Sequence, residues 1–219
     1  MTALTQAYAD RIARAPATAA PPEVAEVAVL GFTDAIGVML AGAGEEAVRA
    51  LARWAEEQGG AAQSRCVALT RRCPAAQAAL INATAAHALD YDDFAFSNHP
   101  SAVLVPTILA AADAHAAPIP GSTLVRAYAI GYEIWCDAFT READLYYDKG
   151  WHPTAVLGTL GAAAACCVVW GLDADRSRDA LALAASNAGG IFENFGTMAK
   201  PYHGGRAAAV AAAAGCIPR

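Results

Sequence analysis

A chain of 219 residues is long enough for one good-sized domain, and with 56% hydrophobic against 16% charged residues it can bury a substantial core. Much of the apolar fraction is alanine, the best helix former, and the β-branched and aromatic runs that mark strands are scarce, so an all-α, multi-helix globular fold packed through small side chains is expected. A net charge of -6 without any Lys/Arg-rich run argues against nucleic acid. Cys66, Cys73, Cys136, Cys166, Cys167 and Cys216 form no CxxC pair and no Cys/His set at zinc spacing, which predicts a reduced, cytoplasmic protein with no metal and no other cofactor.

The N-terminus, MTALTQAYADRIARA, is amphipathic and charged, unlike a signal peptide. Leu4, Tyr8 and Ile12 predict a short helix over 2–15. ARAPATAAPP reads as a linker, so residues 1–20 are an N-terminal helix and linker within a single domain spanning 1–219. Pro21 and Pro22 open a helix through Val24, Val27 and Leu30 to Leu40, closed by Gly42 and Gly44. Asp34, within it, is read as a satisfied buried carboxylate or a solvent-facing one, without function. A charged helix is expected over 45–58, stopped by Gly59-Gly60, then irregular chain over 61–73 with a short strand at CVAL. Pro74 opens a helix to about Leu89, residues 91–98 are a loop, and a helix follows over 100–115. After the turn APIPG, Ser122 or Thr123 is expected to cap a helix to about 143 that carries Tyr128, Tyr132 and Trp135 on one face as core aromatics. Helices at 153–170, 175–188 and 204–215 complete the chain, the last two separated by GGIFENFGTMAKPYH.

Thr154–Leu172 carries no charge and is nearly long enough to cross a bilayer. It is rich in Ala and Gly, starts at His152-Pro153 and lacks a flanking Lys/Arg bias, so it reads as a buried central helix with Cys166 and Cys167 as core filler, and no membrane partner is expected. The last helix is wholly small and apolar. It is expected to need more protein to cover it, as a fragment, a shortened gene product or half of a tight dimer would.

The chemistry concentrates in HALDYDDFAFSNHPSAVL at 87–104. Asn98 or His99 can cap the helix that Pro100 starts, and NHPSAVL is echoed by WHPTAVL at 151–157. KPYHGGRAAA at 200–209 supplies a third basic helix start. Helix starts attract anions, and a histidine held at one tends to stay neutral and can act as a base. His99, His152 and Lys200, with His203, therefore predict a pocket for a small anionic substrate. His87 and Asp90, one helical turn apart, would share a face if the helix continued, with Asp93 a further turn on and Asp92 pointing elsewhere. Asp90 is then a general base or the orienter of a histidine, its pKa raised by apolar surroundings. Arg206 is more easily explained as surface. Without a serine or cysteine elbow, a phosphate loop or a zinc motif, the remaining chemistry is proton transfer beside a carboxylate, with cations stabilising the enolate-like charge.

HALDYDDF, NHPS, GYE at 131–133, GWHPTAVLG, ALALAASNAGG at 180–190 and GTMAKPYHGGRAAA at 196–209 together resemble the MmgE/PrpD family, whose members include 2-methylcitrate dehydratase, cis-aconitate decarboxylase and iminodisuccinate epimerase. The resemblance implies an all-α domain that supplies most of the active site, a homodimer, and a further α+β lid domain that is expected to be absent from this chain. Position by position, the family's catalytic aspartate falls on Asp90, its site histidines on His99 and His152 and its lysine on Lys200, while His203 matches the following histidine that helps bind substrate. The implied activity is cofactor-independent lyase chemistry, dehydration or decarboxylation, on a small di- or tricarboxylate. The alternatives are an epimerase of an amino or imino dicarboxylate, and a truncated, weak or inactive domain that binds carboxylates or a partner subunit. Phe94 stands where the family commonly has threonine, which removes a hydroxyl from the substrate's surroundings.

Overall fold

A computed structural model describes residues 4–15, 20–96, 98–142 and 146–217. Among these the chain is helical, with no strand and three isolated β-bridges. The helices are α1 (Leu4–Arg14), α2 (Pro22–Gly42), α3 (Glu46–Gln58), α4 (Ala75–His87), α5 (Pro100–Asp113), α6 (Gly121–Thr140), α7 (Pro153–Trp170), α8 (Ala174–Ala185) and α9 (Ala199–Cys216), with a 3-10 turn at Phe192–Asn194. Part of the expected linker, residues 16–19, and the expected end of α6 lie outside the described residues.

α7 is the central helix. It is buried along nearly its whole length and packs against α5, α6, α8 and α9. Cys166 and Cys167 are buried in it, as core filler should be. α4, almost as fully buried, lies against α9, α5 and α2. The alanine-rich composition works through close crossings. A Cβ on Gly205 of α9 would stand 2.1 Å from Thr84 Oγ1 and 2.5 Å from the Leu80 carbonyl oxygen of α4. A Cβ on Gly42 of α2 would stand 2.1 Å from the Ala85 carbonyl oxygen, and Gly131 of α6 and Gly161 of α7 would each meet the other's carbonyl oxygen at 2.8 Å. At such crossings small residues let backbones approach where any larger side chain would hold them apart. On α6, Tyr128 and Trp135 are buried core aromatics and Tyr132 is half-buried, the predicted face.

The structure corrects several local expectations. CVAL forms no strand; Ser64 and Cys73 make one isolated bridge instead. α6 starts at Gly121 with no side-chain cap, so neither Ser122 nor Thr123 serves as one. α9 begins five residues earlier than predicted, because Pro201 sits within its first turn, where a missing N–H is tolerated. α4 ends at His87, not near Leu89. The last helix is covered by α4, α5, α7 and α8 of this same chain. The large apolar surface left open is on α2, where Val27 (58% exposed), Leu30 (63%) and Leu40 (62%) face outward. By length and composition α2 and α7 could each cross a bilayer; α7 is mostly buried in the protein and α2 is mostly not.

Candidate active site

The three basic helix starts converge. His99 precedes α5, His152 precedes α7, and Lys200 and His203 lie in the first turns of α9. The His87 ring at the end of α4 is 4.6 Å, centroid to centroid, from that of His99 and 5.7 Å from that of His152. His152 Nδ1 lies 3.3 Å from His203 Nδ1. Lys200 Nζ bonds the Asp90 carboxylate and sits 5.1 Å from the centre of the Phe195 ring, whose edge-on contact with His152 (4.7 Å) closes that side. Asp90, His99, His152, Lys200 and His203, the residues expected to form the site, are therefore in one cluster.

The backbone between α4 and α5 decides how the acids enter it. Ala88 and Leu89 turn out of the helix and Asp90 adopts φ 56°, a left-handed conformation that Asp tolerates better than most residues. Asp90 is thus not a helical neighbour of His87. Released from the helix, Asp92 folds back into the core, contrary to the expectation that it points elsewhere. Its Oδ2 accepts from His87 Nδ1 at 3.0 Å and lies 3.2 Å from His99 Nδ1. Asp93 does a different job. Its carboxylate accepts the Ser101 N–H at 3.0 Å and the Ser101 hydroxyl at 2.8 Å, capping α5 from a distance in place of the predicted Asn98 or His99. The exposed Asp34 of α2 accepts the Asp93 N–H at 3.1 Å, so it anchors this loop. Asn98 accepts the indole N–H of Trp135, while the His99 N–H donates to Thr154 Oγ1 at 3.2 Å, tying the loop to α6 and α7. Bonds from the His152 N–H to the Gly190 carbonyl (2.9 Å) and the Phe192 N–H to the Gly150 carbonyl (2.8 Å) pin the loop before α9 against the start of α7. Arg206 is exposed and donates to the Asn187 carbonyl at 3.0 Å, the surface role expected of it.

The model of the MmgE/PrpD N-terminal domain matches residues 6–217. The chain belongs to the MmgE/PrpD family. It is similar to cis-aconitate decarboxylase of Homo sapiens, 38% identical over 142 residues, and of Mus musculus, 38% identical over 143 residues. It is also similar to a cis-aconitate decarboxylase-like protein of Aspergillus oryzae, 30% identical over 147 residues. Each match covers 63% of this chain and 29% of the relative, so the chain spans under a third of the length of these curated relatives.

In this MmgE/PrpD domain the titrating groups are driven apart. Asp90, expected to have a raised pKa, has a lowered one: burial pushes it up, but the ammonium of Lys200 outweighs that. Burial likewise opposes charge on Asp92, yet the hydrogen bond from His87 and the adjacent His99 ring hold it well below the usual carboxylate range. Burial holds His87 down despite Asp92. Burial, with the nearby His87, His203 and Lys200, depresses His152 to about 2, which is the neutral helix-start histidine that was expected. His99 goes the other way. Burial lowers it, but Asp92 and Asp90 more than compensate, so the expectation of neutrality fails there. Burial pushes Asp93 up.

Among the described residues, His87, Asp90, Asp92 and His99 are the set that could hold a metal ion, with donor atoms all within 4.8 Å of one another. In the structure these donors are engaged with each other and with Lys200. His87 and Asp92 are the site residues that the sequence reading did not assign. Their link depends on the turn at 88–91, which helical periodicity does not reveal.

Proposed function

We propose that this domain supplies the acid/base machinery of a cofactor-independent lyase acting on a small di- or tricarboxylate, by decarboxylation or dehydration. The observation that carries the reading is the convergence of Lys200, His99, His152 and His203 from three helix starts into one cluster, in which Lys200 and His99 reach the Asp90 carboxylate. A substrate carboxylate would take Lys200 from Asp90, freeing Asp90 as a base while the lysine holds the substrate as a point charge. Removing a proton, or carbon dioxide, beside a carboxylate leaves an electron pair delocalised into an enolate-like system. Lys200 and His203 would stabilise that charge, and a histidine would return a proton or protonate the departing hydroxyl. The similarity to cis-aconitate decarboxylases favours a carboxy-lyase and makes cis-aconitate the first substrate to try.

A second reading follows from how fully the groups of the cluster are engaged with one another. His152 and the Asp92 side chain have no exposed surface, and Lys200 is already paired with the Asp90 carboxylate. On that reading the domain binds carboxylates or a partner without turnover. The open apolar face of α2 supports a homodimer.

Proton NMR in heavy water with cis-aconitate, citrate, 2-methylcitrate and aspartate-like acids tests the first reading. Consumption or deuterium exchange of one acid is expected, with Lys200→Ala and Asp90→Asn each reducing it on the order of 10²–10³-fold. Ligand line broadening without turnover would favour the second reading. Unchanged turnover in both variants would refute the role assignment.

A further inference from the structure

His99 and His152 occupy the same position in the same motif, the residue before the helix-starting proline, yet their surroundings differ. His99 presents Nδ1 to Asp92 at 3.2 Å and Nε2 to Asp90 at 3.6 Å, so both ring nitrogens face carboxylate oxygens. These are ion-pair distances rather than hydrogen bonds, Nδ1 having no hydrogen-bond partner, and a ring flanked by two carboxylates is favoured in its charged form. His152 is fully buried, with Nδ1 against His203 and its neighbours the rings of His87 and Phe195. Its Nε2 is buried without a hydrogen-bond partner.

We infer that Asp92, itself held by His87, is a positioning residue that makes His99 the acid of the pair and leaves His152 as the neutral partner. The catalytic half of this inference rests on the acid/base reading above; the protonation half does not. Asp92 can fill this role because its carboxylate is buried between two rings and both its oxygens lie within 3.3 Å of His87 Nδ1. His87 donates from Nδ1, which leaves Nε2 unprotonated in the neutral ring. That atom is buried with no partner, consistent with a ring that stays uncharged. The local charges agree. The carboxylates of Asp90 and Asp92 face one ammonium, Lys200, and a second cation at His99 balances them. The titratable groups facing His99 are His87 from α4, Asp90 and Asp92 from the loop, His152 from the start of α7 and Lys200 from α9; of these Lys200, His87 and His152 oppose its charge. His152 has neither carboxylate and faces His87, His203 and Lys200. Environments that push two like groups in opposite directions assign acid and base.

The experiment is a long-range nitrogen–proton NMR titration of the histidine rings, which reads tautomer and titration midpoint directly. In the wild-type chain His99 is expected to titrate at higher pH than His152, and His87 to carry its proton on Nδ1. Asp92→Asn should lower the His99 midpoint by at least about one pH unit without raising that of His152, and Asp92→Glu should restore it in part. If Asp92→Asn does not fold, the wild-type titration alone decides: a His99 midpoint at or below that of His152 would overturn the inference. So would an unchanged His99 midpoint in a folded Asp92→Asn chain. Where an acid is turned over, Asp92→Asn should move the high-pH limb of kcat against pH downward by the same amount, with KM less affected than kcat. An unmoved limb would overturn the catalytic half. If the wild-type chain turns over no acid, the proposed function fails while the titration still tests the protonation half.

Discussion

Replacing Gly205 with alanine should loosen both the fold and the candidate site, and the size of the effect can be worked from the α4–α9 crossing. The new Cβ would stand 2.1 Å from Thr84 Oγ1, 2.5 Å from the Leu80 carbonyl oxygen and 3.2 Å from Leu80 Cδ1, where ordinary contact begins at 3.4 Å. The Thr84 hydroxyl can rotate away only by surrendering its 2.8 Å bond to that same carbonyl. The carbonyl is backbone and cannot rotate, so α9 must retreat from α4 by about 1 Å. Overpacking of this kind costs about 1–3 kcal/mol and the lost buried hydrogen bond about 1 kcal/mol, while better helix propensity returns up to about 1 kcal/mol. The net loss of about 1–3 kcal/mol corresponds to a Tm lower by roughly 3–10 °C in a domain of this size. Lys200 and His203 ride on α9 while His87 ends α4, so the same retreat widens the cluster. A misplacement of about 1 Å can reduce catalysis on the order of 10²-fold. Thermal unfolding by far-UV circular dichroism, with the substrate assay in parallel, measures both. A Gly205→Ala chain melting at or above the wild-type temperature would refute the close-crossing argument, because propensity alone would then have decided the outcome.

Other consequences are equally direct. Asn98→Ala leaves the buried indole N–H of Trp135 without its acceptor and should cost about 1–3 kcal/mol, read as a lower denaturant midpoint at unchanged m-value; an unmoved midpoint would show that another acceptor replaces it. The depressed His152 makes stability pH-dependent with a definite sign. The unfolded chain binds a proton near the ordinary histidine value of 6.5 that the folded chain refuses down to about 2. This contribution is therefore fully present above pH 6.5 and is lost as pH falls below it, by about 1.4 kcal/mol per pH unit. His87 acts in the same direction. Raised His99 acts oppositely, its contribution present below its ordinary value and lost as pH rises through the folded one. His152→Gln should flatten the acid side of the stability profile measured by urea unfolding, and an equally steep profile would show that His152 is not the group responsible.

Much was legible from local pattern. Alanine content and helical spacing specify an all-α fold, proline placement specifies the starts of α2, α5 and α7, and the charge-free stretch from 154 to 170 specifies a central helix, because each depends on residues within a few turns of one another. The convergence of three helix starts could be guessed from their shared chemistry, and the family's motifs are specific enough to name it. What the sequence alone determined is therefore the helices, the family and the set of residues that carry charge.

Only the tertiary structure decided what those residues do to one another. The turn at Leu89 and Asp90 sends Asp92 into the core between His87 and His99, and gives Asp93 to the start of α5. Periodicity misplaced all three acids, since one left-handed residue redirects every side chain after it. The repeated xHP motif also hid a difference. His99 and His152 are alike along the chain, but one faces two carboxylates and the other faces histidines, a lysine and a phenylalanine ring. Charge state follows from neighbours brought together across as many as 110 residues, as with Lys200 and Asp90, and in a low-dielectric cluster that long-range assembly outweighs anything the local motif specifies.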